Sequence, residues 1–108
     1  MLIRSQDKSI LINMNNVSSI EVGDDRLRIF ANNGDAIYDI GEYSTEAKVI
    51  KVLDMIQEAY ANEKLVDYTT YLQQKEIEKM DNSTILALRN ELMKKAVFQM
   101  PEDSGVEA

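Results

Sequence analysis

Cysteine, histidine and tryptophan are absent from this 108-residue chain, and it has only one proline and four glycines. Without cysteine there is no disulfide, no zinc–thiolate site and no thiol nucleophile. Without histidine the commonest general base and the commonest metal ligand are missing. Long apolar runs are lacking too. None approaches the ~20 residues that a membrane span needs. Arg4 and Asp7 interrupt the opening before a secretory apolar region can form. The expectation is a cytoplasmic protein with no membrane partner, in which the sequons Asn16-Val17-Ser18 and Asn82-Ser83-Thr84 carry no glycosylation meaning.

Positive charge is also scarce: 12 Lys and Arg stand against 19 Asp and Glu, a formal net charge of −7. The excess is spread along the chain and not gathered in one block. Such a field repels phosphate backbones and anionic lipid, so direct nucleic-acid binding is not expected. The length suits one domain, read as residues 1–100, with residues 101–108 as a frayed acidic tail.

What is present changes character near Ser44. Before it, apolar residues alternate; after it, they recur at helical spacing. Strands grouped first and helices after predict an α+β domain. The strands are read at 2–6, 9–14, 17–22, 26–32 and 36–41, as an antiparallel meander of about five strands. In the first hairpin, turning at Asp7-Lys8, Ile3 is set beside Ile12 and Ser5 beside Ile10. Asn33-Gly34 is the best pair for a two-residue type I′ turn. That turn sets Ile29 opposite Tyr38, Leu27 opposite Ile40 and Arg28 opposite Asp39, with Phe30 opposite Ile37. The Gly23–Arg26 turn sets Val22 opposite Leu27 and Glu21 opposite Arg28. Between Met14 and Val17 a direct hairpin gives conflicting faces, which predicts a bulge or a strand end and leaves the buried face of strand 9–14 open.

Ser44 suits an N-cap and Glu46 the first helical turn. Val49, Leu53, Ile56 and Tyr60 then mark an amphipathic helix at 45–62 that covers one face of the meander. Further helical segments are expected at about 66–80 and from Ile85 to Ala96. Ala96–Met100 reads either as the end of that last helix or as a short strand returning to the sheet, since Pro101 forces Met100 out of helical backbone.

Several groups were weighed for chemistry. Arg26, Arg28 and Phe30 on one strand face have the makeup of a single-strand nucleic-acid platform, but Arg28 has acidic neighbours to satisfy it. Asp24, Asp25, Asp35 and Glu42 at loop ends have oxygen ligands for a cation without the alternating spacing of a calcium loop. Ser9, Ser18 and Ser19 have no candidate base beyond the proximity of Lys8. No phosphate-binding glycine loop and no nucleophile elbow occurs. No catalytic, cofactor-binding or metal-ligating residue is therefore assigned, and no cofactor is expected. Tyr60, Tyr68, Tyr71, Met80, Met93, Phe98 and Met100 read as core between helices and sheet, or as an adaptable partner surface.

Three stretches carry a resemblance: Ile3-Arg4-Ser5-Gln6-Asp7-Lys8 with Leu11 and Asn13; Gly41-Glu42-Tyr43-Ser44 leading to Ala47 and Val52-Leu53-Asp54-Met55-Ile56; and Val97-Phe98-Gln99-Met100-Pro101. Together they resemble a group of short uncharacterised proteins of Gram-positive bacteria and their phages or mobile elements. The resemblance implies no activity and no site residues. It favours a returning strand at Val97–Met100.

The functional expectation is a non-catalytic protein-interaction module, with another protein or a second copy of itself as partner. The alternatives are an acidic regulator, or nucleic-acid mimic, occupying the basic site of a DNA- or RNA-binding protein, and an enzyme with a carboxylate-based site.

Overall fold

Ile3 and Ile12 face each other across the first hairpin, in the register their alternation predicts. The computed structural model describes residues 1–72 and 96–108. In it β1 (Leu2–Arg4) pairs antiparallel with β2 (Leu11–Asn13), with Arg4 opposite Leu11. The Ser5 amide donates to the Ile10 carbonyl at 2.8 Å and extends the ladder by one step. At the tip, Asp7 Oδ1 accepts from the Ser5 and Ser9 hydroxyls and from the Ser9 amide, while Lys8 takes the left-handed φ of 68°. Side-chain acceptors of this kind hold turns by satisfying local amides.

The strand ends at Asn13, whose Oδ1 accepts from the Asn15 amide and caps a 3-10 turn over Met14–Asn16. This turn carries the chain out of the first sheet, so β2 does not pair with the strand that follows. The single five-stranded meander is therefore corrected to two three-stranded sheets, ordered β2-β1-β6 and β3-β4-β5. The face of β2 left open by the sequence is settled: Ile12 is buried and Leu11 is exposed.

The second sheet comprises β3 (Ser19–Val22), β4 (Arg28–Asn32) and β5 (Ile37–Glu42), all antiparallel. Its registers differ by two residues from those expected. Asn32 pairs with Ile37, and the loop between them has four residues, 33–36, not two. Asn33 Oδ1 accepts from the Asp35 and Ala36 amides and Asn32 Oδ1 from the Gly34 amide, so side chains close the turn. Only Gly34 has positive φ there, whereas a type I′ turn needs it at both central residues. The Gly23–Arg28 turn is similar. Asp25 Oδ1 accepts from the Leu27 and Arg28 amides, Arg26 adopts φ 66°, and Glu21 pairs with Phe30, not with Arg28. A slip of two preserves which side each residue faces. Ile29, Ala31 and Ile40 still point into the core, with Tyr38 half-buried beside them, and Phe30 and Ile37 still point away.

A β-bulge in β5 does the rest. Asp39 pairs with Phe30 but Gly41 pairs with Ile29, leaving Ile40 as the extra residue. Ile40 and Gly41 both become buried, and the alternation resumes one step out of phase. Asp39 and Glu42, three apart and on opposite faces of a regular strand, therefore end on the same side.

α1 runs unbroken over Glu46–Leu72. Its start agrees with expectation, but Thr45, not Ser44, is the capping side chain, with its Oγ1 accepting from the Lys48 amide at 3.2 Å. The helix continues through 63–65, where the sequence suggested a break. The remainder of the helix expected at 66–80, the one from Ile85, and Met80 and Met93 lie outside the described residues. β6 (Val97–Gln99) returns to pair with β1 in parallel, Phe98 opposite Ile3, which decides between the two readings of Ala96–Met100.

One core joins both sheets and the helix: Ile3 and Ile12 from the first sheet, Ile29, Ala31 and Ile40 from the second, and Val49, Val52 and Ile56 from α1, with Tyr43, Met100 and Val106 closing it. Phe98 packs against this core, while Tyr60 on the helix is partly exposed. Residues 101–108 do not fray as expected. Val106 is buried at 5% exposure after a 3-10 turn over Asp103–Gly105. Asp103 Oδ1 accepts from the Ser44 amide at 2.7 Å, and Lys48 Nζ donates to the Asp103 carbonyl at 2.9 Å. The Tyr43 hydroxyl and Gln6 Nε2 both donate to the Pro101 carbonyl.

Burial, and then the Asp103 charge, push the Tyr43 hydroxyl up to about 12 from 10. Below pH 10 the tyrosine is protonated in folded and unfolded chains alike, and its full contribution is present. Above pH 10 the unfolded chain ionises first, so stability falls until the folded protein itself ionises near pH 12. The expected loss is on the order of 2–3 kcal/mol. Urea unfolding at pH 8 and pH 11.5 checks it, because a Tyr43→Phe variant loses that share of the alkaline slope.

Candidate functional site

The second sheet has two faces with different fates. Its inner face meets the core. Its outer face carries Glu21 from β3, Arg28 and Phe30 from β4, and Ile37, Asp39 and Glu42 from β5, with Asp24 and Asp25 in the adjoining turn. Ile37 is 67% exposed, the most exposed large apolar side chain among the described residues. A shallow groove of about 520 Å³ opens here, lined by Glu21, Gly23, Asp24, Arg28, Phe30 and Ile37 among others.

The floor of the groove follows from a close approach. A Cβ built on Gly23 would come within 2.6 Å of Phe30 Cε2. The Phe30 ring thus lies against the bare Cα of Gly23, one strand over, which holds it down on the sheet. A cross-strand glycine covered by an aromatic ring is a known sheet device. Gly23→Ala is expected to lift the ring and cost about 1–3 kcal/mol by overpacking. Urea unfolding with ring-proton NMR of Phe30 tests this.

Electrostatics divide the groove. Arg28 Nη1 lies 2.9 Å from Asp39 Oδ2, and Glu42 and Asp25 carboxylates each stand 3.5 Å from the same guanidinium. The Asp39 hydrogen bond, then the Glu42 charge, raise the Arg28 pKa further above its ordinary value. The expected Arg28–Asp39 pair is therefore formed, but the second acidic neighbour is Glu42, brought round by the bulge, and not Glu21. Glu21 instead accepts from the Ser19 hydroxyl, and Arg26 turns away to Glu46 of α1 at 2.9 Å. The three residues weighed as a nucleic-acid platform are thus separated: one cation serves the helix and the other is enclosed by three carboxylates.

The remaining candidates are placed as follows. Asp25 and Glu42 meet at Arg28, while Asp35 sits in the opposite turn. Among the described residues, no three acidic side chains gather as a cation site. Ser9 donates to Asp7, whose carboxyl the Ser9 hydroxyl and amide and the Ser5 hydroxyl lower to about 2. A carboxylate so depressed is a feeble proton acceptor for a serine nucleophile. A second, smaller groove of about 300 Å³ between Ser5–Asp7 and Asp39–Glu42 is spanned by Gln6. Its backbone amide donates to Ile40, its Oε1 accepts from the Glu42 amide, and its Nε2 donates to the Glu42 carbonyl. Gln6 thus clasps the edge of β5 to the first sheet.

The fold is mixed α+β, and among the described residues the outer face of β3–β4–β5 carries the exposed Ile37 next to an acidic rim. Comparison of the chain with protein-family models, with curated proteins and with solved structures finds no match. No helix among the described residues is long and apolar enough to cross a membrane.

Proposed function

We propose that the chain is a non-catalytic protein-interaction module whose working surface is the outer face of β3–β4–β5. The observation that carries the reading is Ile37, two-thirds exposed in the groove that Phe30 also lines, on a sheet whose other face lies against the core. Exposed apolar centres rimmed by polar groups are typical of surfaces that meet a partner. The polar residues of the face are engaged with each other, Arg28 with three carboxylates and Glu21 with Ser19, which suits recognition better than chemistry. The resemblance of its motifs to those short proteins favours a bacterial or mobile-element setting.

The test is a photo-cross-linking residue at position 37, compared with one at Ile50 on the exposed side of α1. Adducts from position 37 in cells of the source organism, reproduced with the identified partner in purified form and lost in a Phe30→Glu variant, support the proposal. Equal labelling from both positions, or none, removes it.

A further inference from the structure

We infer that the occupant of this face is a basic segment of another protein, an aliphatic anchor flanked by lysine or arginine, and not a second copy of this chain. The inference rests on the proposed function and names the chemistry of the partner.

An acidic rim surrounds an apolar centre on this face. Phe30 and Ile37 supply the centre, and Gly23 keeps the ring flat against the sheet so that the groove stays open. Around them stand Glu21, Asp24, Asp25, Asp39 and Glu42. Three of these share Arg28, the one cation on this face among the described residues. Glu21 and Asp24 have no cationic partner among the described residues. The rim is therefore net negative even after Arg28 is counted. The whole chain adds to this field at −7.

Two occupants follow different rules here. In a two-fold dimer through this face, each patch meets its own copy, so acidic rim meets acidic rim. Like charges brought together in that way oppose assembly. A basic segment gains at both levels: its anchor covers the Ile37 and Phe30 side chains, and its cations reach Glu21 and Asp24. The rim then sets encounter rate and salt dependence, and the apolar centre sets how long the partner stays.

The probe is a seven-residue peptide alternating lysine or arginine with isoleucine, titrated into the full-length chain by NMR. Two control peptides separate the contributions: one keeps the cations and replaces isoleucine with alanine, the other keeps isoleucine and replaces the cations with glutamate. The expected result is saturable binding of the first peptide, with amide shifts centred on Glu21, Gly23, Phe30 and Ile37. Affinity should fall about tenfold or more in Ile37→Ser, a change at an exposed position that spares the fold. Binding should also weaken with salt, less steeply in a Glu21→Gln, Asp24→Asn double variant. Equal binding of the alanine peptide, shifts scattered over every acidic surface, or binding of the glutamate peptide would each overturn the inference. So would concentration-dependent shifts on this face in the protein alone, which would mean self-association. If the basic peptide fails while position 37 still cross-links a defined protein, the partner's chemistry is wrong and the interface stands.

Discussion

Replacing Tyr43 by alanine is expected to destabilise the fold by about 3–5 kcal/mol, the cost of removing a buried aromatic side chain. Tyr43 is 2% exposed and lies where α1 leaves β5. Its ring fills the space that Gly41 leaves. A Cβ at Gly41 would stand 3.0 Å from Tyr43 Cε2 and 3.2 Å from Met100 Cε. Its hydroxyl reaches across the molecule to the Pro101 carbonyl at 2.8 Å. One side chain therefore joins the bulged strand, the helix start and the C-terminal segment. Tyr43→Phe separates the parts. It keeps the packing and loses one hydrogen bond, expected to cost about 1 kcal/mol, because Gln6 Nε2 still serves Pro101. Urea denaturation of the two variants checks the ratio. Similar losses in both would mean that the hydrogen bond, not the ring, dominates.

The parts of this fold written in local pattern were legible. Alternation placed Ile3 opposite Ile12, and helical spacing placed Val49, Leu53 and Ile56 on the covered side of α1, although Val52 is buried more fully than Leu53 and Tyr60, read into the same stripe, is partly exposed. Side assignments in the second sheet also survived a register slip, because a shift of two leaves parity unchanged. The slip itself was hidden by side-chain chemistry. Asn33-Gly34 favours a two-residue turn by backbone preference, but Asn32 and Asn33 carbonyl oxygens offer the amides of a four-residue loop better partners. Asp25 acts likewise in the preceding turn. Contacts between distant segments left no local mark. β1 meets β6 in parallel across some ninety residues, and Val106 enters a core built mainly from the first half of the chain.

The candidate surface was half visible. The Arg28–Asp39 pair was read from a register that the sheet does not have; Asp39 stands opposite Phe30, and the long Arg28 side chain still reaches it from two residues along β4. The bulge at Ile40, which swings Glu42 to the same guanidinium, has no signature beyond the Ile-Gly pair at 40–41. Phe30 and Ile37 were placed on the outer face, but as neighbours satisfying each other. The structure sets Ile37 opposite Asn32, two residues from Phe30, and the two line one groove on the outer face. The signal that was available is Gly23, a strand-end glycine that leaves room for a ring on the next strand.

Removing residues 101–108 should cost as much as the Tyr43 cavity, roughly 3–5 kcal/mol, although the segment reads as a polar tail. Val106 contributes roughly 1.5–3 kcal/mol by leaving water. Its loss also uncovers the core beside Met100. The Tyr43 hydroxyl loses its acceptor and turns to water instead, a net loss of about 1 kcal/mol. The Ser44 amide loses Asp103, the carboxylate held below its ordinary pKa first by that amide and then by the Ser44 hydroxyl, with the Lys48 charge after them. Hydrogen exchange should therefore quicken at the first turn of α1 as well as near Tyr43. The sharpest consequence is a loss of effect. In the full chain Tyr43→Phe weakens the fold by its hydrogen bond to Pro101, whereas in the shortened chain that bond is already gone and the change should be near neutral. The double-mutant cycle reads that coupling directly. A tail that merely frays would leave both the unfolding midpoint and the effect of Tyr43→Phe unchanged on truncation, and that outcome would sink the assignment of 101–106 as a packed strap.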